Sequence, residues 1–211
     1  MSYSDFKTLE DVKKKFGVSI NSSGSLFANI EQTKASEQLT AVLNENISLA
    51  LNINTEKARS EMIIAPVLIE VRKLLERKVS LFSGLEFNVD EKLGLTGYCD
   101  FILSKSPDQV FIEFPVVCIV EAKNENIKSG YAQCMAEMIA AEMYNKKKSF
   151  SAQSILGVVT TGSNWRFLKL EQNTIYIDYE EYLISQIDII LSVFVKVINS
   201  ISDKNLTNNS S

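Results

Sequence analysis

An uninterrupted apolar run, Val116-Val117-Cys118-Ile119-Val120, leads directly into Glu121-Ala122-Lys123. Apolar runs of this kind, bounded by turn signals, are strands buried on both faces, so the run calls for a sheet with cover above and below. Side chains two apart on a strand share a face, which makes Glu121 and Lys123 project together. A carboxylate and an amine at the end of a core strand are costly unless paired, solvated or holding a metal. Asp100 stands in an earlier apolar stretch. An Asp and a Glu from adjacent strands can hold Mg²⁺, and a neighbouring Lys can serve water or phosphate chemistry.

The rest of the chain supplies elements for such a sheet. Residues 1–55 read as a mainly helical, polar extension, interrupted between Gly17 and Gly24. Thr55 is an N-cap candidate for a helix over Glu56 to Lys78, which Pro66 should kink or restart. Met62, Ile63, Val67, Leu68, Val71, Leu74 and Leu75 form its inward stripe, with Glu61 and Glu70 near the border. The period then changes. Leu85, Phe87 and Val89 alternate with polar residues as a half-buried strand, Lys92-Leu93-Gly94 turns, and Thr96 to Leu103 returns. Val110 to Phe114 is expected to open a third strand, broken or bulged at Pro115. After the run comes a polar turn, Asn124 to Lys128, and a helix over Ser129 to Lys148. Strands are predicted at Ile155 to Thr160, Trp165 to Leu170 and Thr174 to Tyr179. A long apolar helix follows over Glu180 to Ser202, then a polar tail at 203–211. The order gives an α/β (α+β) class, a central mixed β-sheet flanked by helices, with residues 56–202 as its core.

Composition narrows the chemistry. The 211 residues are 45% hydrophobic and 23% charged, with a net charge of −4, so no global basic field advertises nucleic acid. Histidine is absent. Ser-His and Cys-His pairs, His-ligated zinc and a histidine base are thereby excluded. Cys99, Cys118 and Cys134 lie apart in apolar surroundings and read as buried free thiols, which with no visible signal peptide points to a reducing, cytoplasmic setting. No stretch is apolar and long enough for a membrane span.

The tripeptide alone is weak. The pattern of an acid, any residue and Lys recurs, for example at Asp11-Val12-Lys13 and Asp90-Glu91-Lys92, in charged or turn contexts. At Glu121 the pattern closes an apolar strand, and a salt-bridged strand end is the bland alternative. Tyr98 and Asp100 share a strand face, Gly97 permits close approach, and Gln133 and Glu137 lie four apart on one face of the next helix. Lys146-Lys147-Lys148 either touches a nucleic-acid backbone or places cations at a helix C-terminus. Trp165 is read as core rather than a stacking platform.

With these residues the chain resembles the PD-(D/E)XK, or restriction-endonuclease-like, nuclease superfamily over about residues 56–180. Asp100 matches its motif Asp, Glu121 its second acid and Lys123 its lysine. Glu61, in Ser60-Glu61-Met62, matches the helix acid seen in many members, and Gln133 the glutamine on the following helix. Cys99 stands where the motif has Pro. The resemblance implies Mg²⁺ or Mn²⁺ held by Asp100, Glu121, the Ala122 carbonyl and Glu61, with Lys123 orienting or deprotonating water. It implies hydrolysis of phosphodiester bonds in nucleic acid, DNA more than RNA. Two other readings stay open. One is a catalytically silent member of the fold that binds nucleic acid or protein. The other is a structural homodimer through the C-terminal helix, with Leu183, Ile187, Ile190, Phe194 and Val197 as the seam.

Overall fold

The structure, a computed structural model, describes residues 1–28, 30–150 and 152–201. The tail expected at 203–211, and Ser202 before it, lie outside the described residues.

Helix boundaries follow local chemistry. Thr8 and Asp11 form a reciprocal capping box (3.1 and 3.0 Å) that opens α1, Leu9–Phe16, and Gly17 closes it in the left-handed region at φ 66. Ser36 caps α2, Glu37–Ile53, while its own N–H donates to the buried carboxylate of Glu70 at 3.1 Å. Thr55 is the N-cap read from the sequence, accepting from the Ala58 N–H at 3.1 Å. It opens α3, Glu56–Arg59, which runs through a π-helical turn, Ser60–Ile64, into α4, Ala65–Leu74. Pro66, expected to kink or restart the helix, stands in the first turn of α4 just after that π turn. Proline has no N–H to give the Met62 carbonyl; the Asn46 side chain supplies one instead, at 3.1 Å.

The described strands form a mixed, eight-stranded sheet in the order β1-β7-β6-β5-β4-β3-β2, with β8 also on β6. They are β1 Ser19–Asn21, β2 Ser80–Glu86, β3 Tyr98–Ser104, β4 Val116–Ala122, β5 Ile155–Thr160, β6 Asn164–Glu171, β7 Thr174–Ile177 and β8 Tyr182–Leu183. β4 and β5 are parallel, joined by the crossover helix α5, Tyr131–Lys147. All of β4 is buried. Val117 and Val120 enter the core shared with α2, α4 and α6 (Ile187–Ser200), and Ile119 enters the core under α1 and α5. Helices therefore cover both faces, as the apolar run requires.

Several boundaries differ from the sequence reading. Residues 1–55 add to the sheet and the core: β1 pairs in parallel with β7, and Tyr3, Phe6 and Val12 are buried beside α5. β2 starts at Ser80, earlier than the Leu85 alternation. Gly84 bends it at φ 60, and Phe87 and Val89 continue irregularly, donating to Gly97 and Leu95 at 2.8 and 2.9 Å. Residues 110–114 form no strand; Val110 instead turns back onto the Asp108 carboxylate (2.8 Å) and is 87% exposed. Nearby, the Gln109 carboxamide both accepts from the Leu81 N–H (3.1 Å) and donates to its carbonyl (2.7 Å), covering the outer edge of β2. The last helix begins at Ile187 because Tyr182 and Leu183 pair with Trp165 and Asn164. Its supposed dimer seam is largely used internally, since Ile190, Phe194 and Val197 are buried in the chain's own core.

Candidate active site

The β3–β4 register pairs Phe101 with Val120 and Ile102 with Ile119, which puts Asp100 opposite Glu121 at the next position. Directly opposed residues have Cβ atoms about 5 Å apart. The β3–β4 ladder ends at Phe101, and the Asp100 carboxylate takes over as acceptor, receiving the Ala122 N–H at 2.7 Å. A strand residue turns its N–H and C=O to the same neighbour, so the Ala122 carbonyl faces the Asp100 side as well. Lys123 forms an ion pair with Glu121, and its backbone N–H is held by Thr160 at 2.8 Å.

The Glu121 side chain is 1% exposed. Burial and then the Asp100 charge push its pKa up to about 8, against the opposing pull of Lys123. Burial acts to lower the Lys123 pKa, but Glu121 outweighs it and the net shift is upward. Gly130 just before α5 is required by this arrangement. A Cβ there would sit 2.6 Å from Val159 Cγ1, 3.2 Å from Lys123 Cγ and 3.3 Å from Glu121 Cγ.

From α5, Gln133 donates to Glu137 Oε1 at 3.1 Å. Glu137 is wholly buried, and its pKa is raised well above the carboxylate range by burial and then by Glu121. The Oε2 atoms of both Glu121 and Glu137 lack a hydrogen-bond partner in the protein. Sequence reasoning saw that Gln133 and Glu137 share a face but did not single out Glu137. The signal was there, in an acid at i+4 on a helix of Ala, Met and Cys.

Asp100 also lines a cleft of about 290 Å³ with Ser83, Gly84 and Phe101 on the strand side and Glu56, Lys57, Ser60 and Glu61 on the helix side. Glu61 is thus brought to the same cleft, but its side chain is 60% exposed and paired with Lys57 at 3.3 Å. Glu56 is the acid that senses the centre. Partial burial raises its pKa, Lys123 opposes that, and Asp100 adds to it. Its position was missed because the phase of the helix wall depends on the π turn. Among the described residues, no three Asp, Glu, Cys or His side chains converge as a metal-holding group. The strongest donor set at this centre is accordingly two carboxylates and a backbone carbonyl.

Neither a family model nor a curated protein matches this chain. Its chemistry is therefore read from its own residues. The other sequence candidates are engaged structurally. Trp165 is fully buried and donates to the Gly162 carbonyl at 2.9 Å. Arg166 grips the carbonyls of Asp178 and Tyr179, both at 2.9 Å, and Glu181 at 3.0 Å. Lys146 pairs with Glu142 at 2.8 Å and Lys147 donates to the Val89 carbonyl at 2.6 Å. No helix of the described residues is long and apolar enough to cross a membrane.

Proposed function

We propose that the chain is a divalent-cation-dependent phosphodiesterase of the restriction-endonuclease-like kind, acting on nucleic acid and on DNA in preference to RNA. The observation that carries this reading is the Asp100–Glu121 cross-strand pair, with Lys123 ion-paired to Glu121 and Asp100 lining an open cleft. Two buried or half-buried carboxylates side by side, one with an orphaned oxygen, form a donor set that a cation would relieve. The residues fit Mg²⁺ or Mn²⁺: Asp100, Glu121 and the Ala122 carbonyl offer hard oxygens. Glu61 and Glu56 line the same cleft as Asp100 and would contribute from its helix side.

Bound there, the cation supplies charge neutralisation at a phosphate and a more acidic water. The remaining roles belong to side chains. Asp100 is held in place by the Ala122 N–H, so its carboxylate needs no reorganisation to act as a ligand. Lys123, oriented by Glu121, presents an ammonium to the phosphoryl oxygens and to the attacking water. Gln133, fixed at its amide by Glu137, borders the same group of acids.

A metal titration tests the reading. Mn²⁺ or Mg²⁺ should raise the Tm of wild type and not of Glu121→Ala. On mixed single- and double-stranded DNA, cleavage should vanish in Asp100→Ala. An equal metal effect in both proteins, or cleavage that survives Asp100→Ala, would refute it. The second reading, a catalytically silent binding module, is favoured by the lack of a three-acid group among the described residues. It predicts DNA retention without cleavage at any metal concentration.

A further inference from the structure

Arg59 is the one cation of α3 that is buried, at 8% exposure, and its guanidinium reaches three separate segments. Nε donates to the Asn124 side chain at 3.1 Å, in the loop that immediately follows Lys123. Nη1 donates to the Thr161 carbonyl at 2.9 Å, in the turn after β5. Nη2 donates to the Asn54 side chain at 3.0 Å, at the left-handed end of α2. Asn54 then donates to Glu125 at 2.9 Å, so the loop after Lys123 is tied twice to the α2–α3 corner. Gly162 brings the same turn against the helix: at φ 80, a Cβ there would lie 3.6 Å from Arg59 Cβ and 3.3 Å from Ile63 Cδ1.

These bonds tie the helix side of the cleft to the segments that follow β4 and β5. Glu56 and Lys57, on that helix side, lie within one turn of Arg59, and Asn124 directly follows Lys123. We infer that Arg59 is a positioning residue that sets the spacing between the helix wall and the Glu121–Lys123 strand end. This rests on the phosphodiesterase reading above. A planar fork with donors in several directions can hold three acceptors at once, whereas a lysine ammonium on a flexible stem cannot reproduce that geometry. Misplacement of a catalytic group by about 1 Å is enough to cost roughly a hundredfold in rate.

The test compares full-length wild type, Arg59→Lys and Arg59→Ala, the last with and without methylguanidinium. Cleavage of mixed single- and double-stranded DNA with Mn²⁺ is followed, and rates are normalised to the folded fraction from circular dichroism. The kcat of Arg59→Lys should fall about tenfold or more, with KM little moved. Methylguanidinium should recover activity in Arg59→Ala and leave wild type unchanged. An unaltered kcat per folded molecule, or no recovery, would overturn the inference. Amide hydrogen exchange at 124–126 gives an independent reading. It should quicken about tenfold in Arg59→Lys while α5 stays protected. If wild type itself cleaves nothing, the phosphodiesterase reading falls alone and exchange decides the clamp: unchanged exchange at 124–126 overturns it.

Discussion

Glu121 is held where water barely reaches it, with Asp100 opposite on β3 and Lys123 as its ion-pair partner. Its folded pKa of about 8 lies above the ordinary 4.5, so between those values the folded chain holds a proton the unfolded chain has released. The contribution of Glu121 to stability is thus most favourable at low pH and declines as pH rises through about 8. The slope is at most about 1.4 kcal/mol per pH unit. Urea unfolding of the metal-free protein from pH 5.5 to 9 should show this decline, and Glu121→Gln should flatten it. Glu137, shifted in the same direction, sharpens a second expectation. Glu137→Gln replaces a carboxyl whose pKa burial raises with a neutral amide of the same shape, and should fold at least as stably above neutral pH. Glu137→Ala, which leaves a void beside Glu121, should lose about 1–3 kcal/mol. A Glu137→Gln protein destabilised as much as Glu137→Ala would contradict that upward shift.

Helix α3 and its π turn make the helix side of the cleft, and Pro66 follows at the start of α4. The Met62 carbonyl that Pro66 leaves without a donor is satisfied from α2 by Asn46. Asn46→Ala should therefore cost about 1–3 kcal/mol in chemical denaturation. It should cost less in a Pro66→Ala background, where an N–H becomes available at position 66; equal losses in both backgrounds would disconnect the two residues. These elements also mark what was legible in the sequence. Thr55 as cap, the stripe through Ile63, Val67, Leu68 and Val71, and β4 and β5 are all local patterns, and the described structure agrees with them. Asp100 beside Glu121 was accessible because alternation puts each acid on a definite face. The position of Glu56 in the cleft was not, because a π turn shifts helix phase and nothing in a short window announces it. β8 was hidden inside an apolar segment that reads as helix, because Tyr182 is fixed by a distant strand and by the Asp178 carboxylate at 3.0 Å.

Two cores on opposite faces of one sheet make the whole chain depend on segments far from the cleft. Phe194 in α6 packs edge-on against Trp165 and Phe167, with centroids at 6.2 and 5.6 Å. Phe194→Ala should remove about 3–5 kcal/mol. Because this ring is buried within the chain, the unfolding midpoint should not depend on protein concentration, whereas a dimer seam would make it do so. Net charge and the lysines at 146–148 gave little to read at this scale, since neither distinguishes a local substrate groove from an ordinary surface. The Gln109 carboxamide on the flank of β2 has a consequence of a different kind. By engaging both backbone groups of Leu81, it occupies the place where a strand from another molecule would dock. Gln109→Ala should leave the fold intact yet shorten the shelf life of concentrated solutions, visible as a rise in light scattering over days.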